Sequence, residues 1–137
     1  MTQKPFIIER EKLEEVLRIA PFHQWLNLEI QSYSADKLQL RMPWRKEIVS
    51  NPMLGAAHGG VLAALIDLTG LYTLIATGMK VKATVDLRVD YLRPATSGPL
   101  IATGHIVKNG RQVSLAETDI TGPEGKLVAS GRGAYTC

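Results

Sequence analysis

The chain has 137 residues, of which 45% are hydrophobic and 21% charged, a size and composition that indicate one folded domain and exclude intrinsic disorder. Lys and Arg number 16 against 13 Asp and Glu, and the resulting net charge of +3 permits an anionic ligand without indicating nucleic-acid binding. The length indicates a single domain over residues 1–137. The one cysteine, Cys137, excludes an intramolecular disulfide and a cysteine-rich metal site, so we expect no bound metal.

The N-terminal part of the chain predicts a short helix followed by two strands. Apolar residues at helical spacing over 9–20 indicate an amphipathic helix, which Pro21 ends. Residues 26–31 alternate between apolar and polar, as in a half-buried strand, and residues 37–42 do so again. An irregular loop with several Pro, Asn and Gly residues follows over 44–57.

The central stretch, residues 59–76, is almost free of charged side chains. Its glycines and threonines make it marginal for a membrane span, and the alternating segments around it favour a helix buried under a sheet. We predict that this helix runs from about His58 to Thr77, with Gly78 at its C-terminal cap. The charged N-terminus, residues 1–16, lacks the apolar core of a secretion signal, so we expect a cytoplasmic protein without a membrane span.

Four further strands are predicted after this helix, which makes the fold α+β, with an antiparallel sheet curved over one helix. Alternation in the first of them places Thr84 on its polar face. Asn109-Gly110 joins the second and third strands and is a strong signal for a two-residue hairpin. The four strands cover residues 81–91, 100–108, 112–120 and 126–135.

A single acidic residue, Asp67, lies in the middle of the predicted apolar helix. Burying a carboxylate is costly unless it is paired. Asp67 is therefore either a structural carboxylate, paired with an arginine or capping backbone, or a general base or nucleophile in a dry pocket.

His58-Gly59-Gly60 begins the same helix, where the first N–H groups have no partner within the helix and lie at the positive end of its dipole. The Gly59 N–H is then a candidate donor to an oxyanion, unless the glycines only permit a sharp turn into the helix. Gly59 and Asp67 are about 12 Å apart along such a helix. Both can act on one carbonyl only if a second subunit supplies its own Asp67, so an enzyme of this kind is at least a dimer.

Two runs, HGGVLAALIDLTG at 58–70 and TVDLRVDYLRPA at 84–95, resemble the hotdog-fold acyl-CoA thioesterases of the phenylacetate-degradation type. The resemblance extends from Pro21 to Tyr135. It implies a hotdog fold, in which a curved antiparallel sheet of about six strands wraps around the central helix. It also implies a homodimer joined sheet edge to sheet edge, with an active site shared between subunits, and commonly a homotetramer.

The resemblance implies catalytic roles for five residues. Asp67 matches the family's helix carboxylate, which acts as base or nucleophile, and Gly59 matches the oxyanion-binding glycine. His58 matches the motif histidine, which orients the site, and Thr84 the hydroxyl residue that positions water. Asn51 is the candidate for the asparagine that binds the thioester carbonyl, although it lies seven residues before His58, one more than in the family pattern.

Cations for the phosphates of coenzyme A are expected at two places. Arg93 and Pro94 follow the long strand, and Lys108 and Arg111 flank the hairpin turn. Each cation is either a phosphate ligand or a solvated surface charge. The resemblance thus implies hydrolysis of an aromatic or medium-chain acyl-CoA, with coenzyme A as part of the substrate and no separate cofactor.

Two alternatives remain open. A hotdog hydratase or dehydratase requires a catalytic histidine or glutamate in a different helix motif, which fits His58-Gly59-Gly60 and Asp67 poorly. A non-catalytic acyl-CoA-binding protein gains nothing from a buried acid, so Asp67 argues against it. Thiol release from a panel of acyl-CoAs discriminates between these functions.

Overall fold

Three α-helices and eight β-strands make up the structure, a computed structural model that describes residues 7–137. The helices are α1 (Arg10–Ile19), α2 (Pro21–Leu26) and α3 (Gly59–Ile75). The strands are β1 (Glu29–Tyr33), β2 (Lys37–Met42), β3 (Val49–Asn51), β4 (Ala56–Ala57), β5 (Ala83–Tyr91), β6 (Leu100–Lys108), β7 (Val113–Thr121) and β8 (Leu127–Thr136).

Six of the strands form one antiparallel sheet in the order β1-β2-β6-β7-β8-β5. The strands β3 and β4 pair with each other in a small second sheet. The long helix α3 contacts β2 and the four strands from β5 to β8. This arrangement confirms the predicted α+β fold, with one long helix packed against a sheet of six antiparallel strands. The two free edges of that sheet are β1 and β5.

The apolar character of α3 follows from its position between the sheet and the N-terminal helix. Leu65 and Leu74, about half a turn apart around the helix, are both completely buried. Tyr72 donates a hydrogen bond to the carbonyl of Val16 in α1, at 3.3 Å. Gly78 follows the helix in the left-handed conformation, at φ 82°, as predicted for its C-terminal end. Within residues 7–137, no helix combines the length and apolar character that a membrane crossing requires.

The predicted strand over 26–31 is wrong at its beginning. The chain instead forms α2, which starts at Pro21 because proline suits the first position of a helix, and ends at Leu26. Asn27 closes this helix in the left-handed region at φ 57°, which asparagine tolerates, and β1 begins at Glu29. The alternating pattern predicted a strand here because both Leu26 and Ile30 are buried in the core. Leu26, however, reaches the core from a helix, and Ile30 reaches it from a strand.

The connection between β6 and β7 is also longer than the two-residue hairpin predicted at Asn109-Gly110. The strands end at Lys108 and resume at Val113, and neither Asn109 nor Gly110 has the positive φ that a two-residue type I′ turn needs. Instead, the hydroxyl of Ser114 accepts a hydrogen bond from the Gly110 N–H at 3.1 Å. The Ser114 side chain therefore stabilises this connection, in place of the backbone hydrogen bonds of a two-residue turn.

Helix α3 approaches the sheet closely at Gly131 of β8. A Cβ atom at this position would lie 2.6 Å from the carbonyl oxygen of Arg88 and 2.9 Å from Cγ2 of Ile66. Real Cβ atoms essentially never approach other heavy atoms at these distances. The absence of a side chain at Gly131 therefore allows β5, β8 and α3 to pack closely together.

We expect Gly131→Ala to lower the free energy of unfolding by about 1–3 kcal/mol, the usual cost of overpacking a core. Gly122→Ala is the matched control, because a Cβ there meets no atom closer than 3.8 Å. Chemical denaturation of the two variants and the parent, followed by circular dichroism, measures the difference. Equal unfolding midpoints for all three proteins would contradict the packing described for Gly131.

Candidate active site

Asp67 lies in the middle of α3 and points toward β5. Thr84 donates a hydrogen bond from Oγ1 to the Oδ1 atom of Asp67, at 2.6 Å. Among residues 7–137, no cation lies within salt-bridge distance of this carboxylate, and Oδ2 accepts no hydrogen bond. The pairing with an arginine that the sequence left open is therefore absent from this part of the chain. Asp67 is half-buried, with one oxygen positioned and the other free.

A β-bulge at Val85 brings Thr84 to Asp67. Thr84 pairs with Tyr135 of β8, whereas Asp86 pairs with the adjacent Ala134, so Val85 is an extra residue in β5. Such an insertion reverses the side on which the preceding side chains project. The placement of Thr84 on the polar face, predicted from simple alternation, is therefore wrong, and its hydroxyl faces α3.

Tyr135 holds Asp67 through the backbone. Its hydroxyl donates to the main-chain carbonyl of Asp67 at 2.9 Å. A Cβ atom at Gly70 or Gly133 would lie 2.3 or 2.2 Å from that hydroxyl, so the two glycines form the slot for the phenol. Burial, and secondly the negative charge of Asp67, raise the pKa of Tyr135 well above its ordinary value. The phenol therefore stays protonated and remains a donor.

His58 caps the beginning of α3. Its Nδ1 atom accepts a hydrogen bond from the Gly60 N–H at 2.9 Å, which leaves the proton of the neutral ring on Nε2. The His58 N–H donates to the carbonyl of Ile48 at 2.7 Å, which fixes the chain as it enters the helix. The Gly59 N–H finds no acceptor anywhere in residues 7–137. It is a free donor at the positive end of the helix, as an anion-binding position requires.

A cleft of about 420 Å³ opens beside this free donor. Gly59 and Leu62 of α3 line one part of it, and Tyr91, Arg93 and Pro94, at and after the end of β5, line another. The structure therefore brings three of the predicted residues together, namely Gly59, Arg93 and Pro94. It leaves Asp67 and Thr84 elsewhere, about 12 Å away along α3.

Three predicted residues lie apart from both groups. Lys108 and Arg111 are exposed and line a second cleft of about 420 Å³ at the β6–β7 connection. Asn51 is exposed at the end of β3, where its Oδ1 atom accepts a hydrogen bond from the Met53 N–H at 3.0 Å. In a single chain, Asn51 thus stabilises its own loop.

Two half-sites therefore lie on one helix: a helix N-terminal donor beside a cleft, and a carboxylate with a hydroxyl partner. Residues 54–129, which contain both half-sites, match the protein-family model described as the Thioesterase superfamily. The chain belongs to the thioesterase superfamily.

Relatives of this thioesterase are similar over most of their length. Acyl-coenzyme A thioesterase 13 of Mus musculus is 30% identical over 127 residues, which cover 90% of this chain and 89% of that protein. The medium/long-chain acyl-CoA thioesterase YigI of Escherichia coli is 28% identical over 130 residues, which cover 84% of each. The solved structure of the E. coli PaaI protein, from the phenylacetic acid degradation operon, aligns with a TM-score of 0.76 at 25% identity, over 83% of this chain and 86% of that one. These similarities confirm the resemblance to hotdog thioesterases of the phenylacetate-degradation type.

Two tyrosines that sequence reasoning missed contact the half-sites of this thioesterase. Tyr135 holds the backbone of Asp67, and Tyr91 donates a hydrogen bond to the carbonyl of Gly59 at 2.7 Å. The glycines were the signal that could have found them, since Gly59, Gly70 and Gly133 all leave room beside a tyrosine ring. A sequence shows that such room exists but does not show which side chain fills it.

Proposed function

We propose that this thioesterase hydrolyses acyl-CoA to the free acid and coenzyme A. The observation that carries the proposal is the Asp67 carboxylate, which accepts one hydrogen bond from Thr84 and has no cationic partner in the described chain. Two relatives named as acyl-CoA thioesterases, in mouse and E. coli, support the substrate class.

In the proposed reaction, a water oxygen attacks the thioester carbonyl carbon while Asp67 removes a proton from the water. The carbonyl oxygen becomes an oxyanion, and the Gly59 N–H at the helix N-terminus donates to it. The C–S bond then breaks, and the thiolate of coenzyme A takes up the proton. If Asp67 instead attacks the carbon itself, the C–S bond breaks to give a mixed anhydride and the thiolate of coenzyme A, and the same N–H stabilises the same oxygen. Water then hydrolyses the anhydride to the free acid and the Asp67 carboxylate, and the proton that is released goes to the thiolate.

The two half-sites belong to one active site only in a dimer, because a carbonyl does not span about 12 Å of helix. The edge strand β5 supplies a means of assembly. Thr84 near its start contacts Asp67, and Tyr91 at its end contacts Gly59. Antiparallel pairing of two copies of β5 about a two-fold axis brings the Thr84 end of one strand beside the Tyr91 end of the other. We infer that each site combines Gly59 of one subunit with Asp67 of its partner.

Exposed apolar side chains on and just after β5 support this pairing. Val85, Tyr91 and Leu92 are 56%, 54% and 53% exposed in the isolated chain. An uncovered apolar edge strand is a template for pairing with another chain. The further association of dimers into a homotetramer, and the cytoplasmic location, stay predictions of the sequence.

The cleft beside Gly59 supplies the proposed binding place for coenzyme A. Arg93 and Pro94 line it together with Gly59, which carries the proposed oxyanion donor. Guanidinium groups bind phosphates through paired charge-assisted hydrogen bonds. In this proposal, Lys108 and Arg111 serve as further phosphate partners at the β6–β7 connection.

We expect Asp67→Asn to fold and to lose about 10²–10⁴-fold in kcat on a responsive acyl-CoA, the usual contribution of a general base. Thr84→Ala is expected to cost less, because water partly replaces a hydroxyl that only positions another group. Thiol release measured over a panel of acyl-CoAs gives both values. Turnover of Asp67→Asn within a factor of two of the parent would contradict the assignment and favour a protein that merely binds acyl-CoA.

For Arg93→Ala and Arg111→Ala we expect KM to rise about tenfold with little change in kcat, since each side chain contacts the remote nucleotide and not the carbonyl. Added salt is expected to raise the KM of the parent as well, because it screens the same charges. Lys12→Ala, which removes an exposed cation from α1, is the control. Unchanged KM values in both arginine variants would show that the nucleotide binds elsewhere.

Subunit complementation tests the shared site directly. Asp67→Asn removes the base, and Gly59→Pro removes the N–H donor. Proline is tolerated at this first helical position, and His58, at φ −60° and ψ 130°, already has the conformation of a residue before proline. Gly59→Ala is the matched control because it adds a side chain but keeps the N–H, and it is expected to retain more activity than Gly59→Pro.

When equal amounts of Asp67→Asn and Gly59→Pro are unfolded and refolded together, random pairing makes half of the dimers mixed. Each mixed dimer has one site with both groups intact, so about a quarter of the parent activity is expected to return. Circular dichroism and size-exclusion chromatography establish that both variants fold. Mixed dimers that form without any recovered activity would rule out pairing of Gly59 and Asp67 across subunits.

A further inference from the structure

The peptide group between Gly59 and Gly60 is held at both of its ends. Its carbonyl oxygen, on Gly59, accepts a hydrogen bond from the Tyr91 hydroxyl at 2.7 Å. Its N–H, on Gly60, donates to Nδ1 of His58 at 2.9 Å. We propose that Tyr91 is a positioning residue for the oxyanion donor, an inference that rests on the proposed function. By holding this peptide, Tyr91 limits rotation of the Gly59 backbone next to the free Gly59 N–H.

We call the two hydrogen bonds to this peptide, from Tyr91 and to His58, the clamp. The two consecutive glycines make it necessary. Glycine has the widest range of backbone conformations of any residue, and the first N–H groups of a helix have no acceptor within the helix. The peptide before Gly59 is held through the carbonyl of His58, which accepts from the Val61 N–H at 3.0 Å. With the following peptide held by Tyr91 and His58, the backbone on both sides of Gly59 is fixed. The free N–H then has one orientation before substrate arrives, which is what oxyanion stabilisation requires.

Tyr91 suits this role because it lies beside Gly59 and its hydroxyl donates a hydrogen bond to the backbone. Three ring and hydroxyl atoms of Tyr91 lie 3.4 Å from the place where a Cβ on Gly59 would be. The hydroxyl hydrogen points to the Gly59 carbonyl and is not free to bind an oxyanion in the cleft. Tyr91 therefore acts through Gly59, which distinguishes a positioning residue from a catalytic one.

The clamp also joins the donor to the strand that holds the base. Tyr91 ends β5, and Thr84 near its start holds Asp67. The same strand thus fixes one group of each half-site to α3. In the dimer proposed above, β5 of one subunit positions the donor, and β5 of the other positions the carboxylate with which that donor acts.

Tyr91→Phe tests the proposal, because it keeps the ring and removes only the hydroxyl. Loss of a whole oxyanion donor costs about 10²–10³-fold in kcat, so loosening a retained donor is expected to cost less, about tenfold. KM is expected to change less than about twofold, because the donor acts mainly in the transition state. Tyr33→Phe is the matched control. It removes another tyrosine-to-carbonyl hydrogen bond of 2.7 Å, to Ile8, from a residue on the opposite sheet edge, and is expected to leave kcat unchanged.

A second measurement does not depend on activity. In protein labelled with ¹⁵N-glycine, we expect the Gly60 N–H to exchange with solvent faster in Tyr91→Phe than in the parent or in Tyr33→Phe, since its peptide has lost one anchor. A kcat for Tyr91→Phe within twofold of the parent would overturn the proposal, as would unchanged Gly60 exchange. A rise in KM at constant kcat would also overturn it, because the hydroxyl would then contact substrate. If the parent hydrolyses no acyl-CoA, the proposed function fails, and the exchange rate alone decides whether Tyr91 holds this peptide.

Discussion

The rise of an α-helix separates the two groups that we propose act in catalysis, the Gly59 N–H and the Asp67 carboxylate. At 1.5 Å per residue, Gly59 and Asp67 lie about 12 Å apart, and no rearrangement of side chains closes that distance while α3 stays helical. The rest of the structure is consistent with this constraint. The strand that contacts both groups, β5, lies at the edge of the sheet, and its exposed apolar side chains leave it ready to pair. A helix that carries two half-sites thus accompanies a sheet edge able to join two copies of it.

Close packing between α3 and the sheet allows strand residues to control the helix. Gly70 on α3 and Gly133 on β8 leave space for the phenol of Tyr135, and Gly131 lets β8 approach both β5 and α3. Two hydroxyl groups reach the helix across this short distance, from Thr84 to the carboxylate of Asp67 and from Tyr135 to its carbonyl. The same closeness that removes voids from the core therefore also fixes the position of the proposed base.

Sequence reasoning recovered the features that repeat or that break a repeat. Alternation predicted the main strands, and a long apolar run predicted α3. One charge within that run identified Asp67, and the histidine-glycine-glycine start of the helix identified Gly59. The rise of the helix between these two residues was then enough to predict a site shared between subunits.

The missed features depend on single residues or on distant pairs. The bulge at Val85 reverses Thr84 through one extra residue in β5, which alternation alone does not show. The contact between Tyr91 and Gly59 joins residues that are far apart in sequence, and the glycine alone does not show which side chain lies beside it. The helix α2 was not predicted, and its last residue, Leu26, was assigned to a strand because burial from either element gives the same apolar pattern.

The free edge of β5 has a consequence for the behaviour of the protein at low concentration. An isolated protomer presents unpaired backbone N–H and C=O groups beside Val85, which is more than half exposed. Such an edge recruits any extended chain and is a starting point for amyloid-like growth. In the proposed dimer, the partner subunit covers this edge as well as completing the active site. Dilution that separates the subunits would then expose β5 and favour misassembly, as heating does.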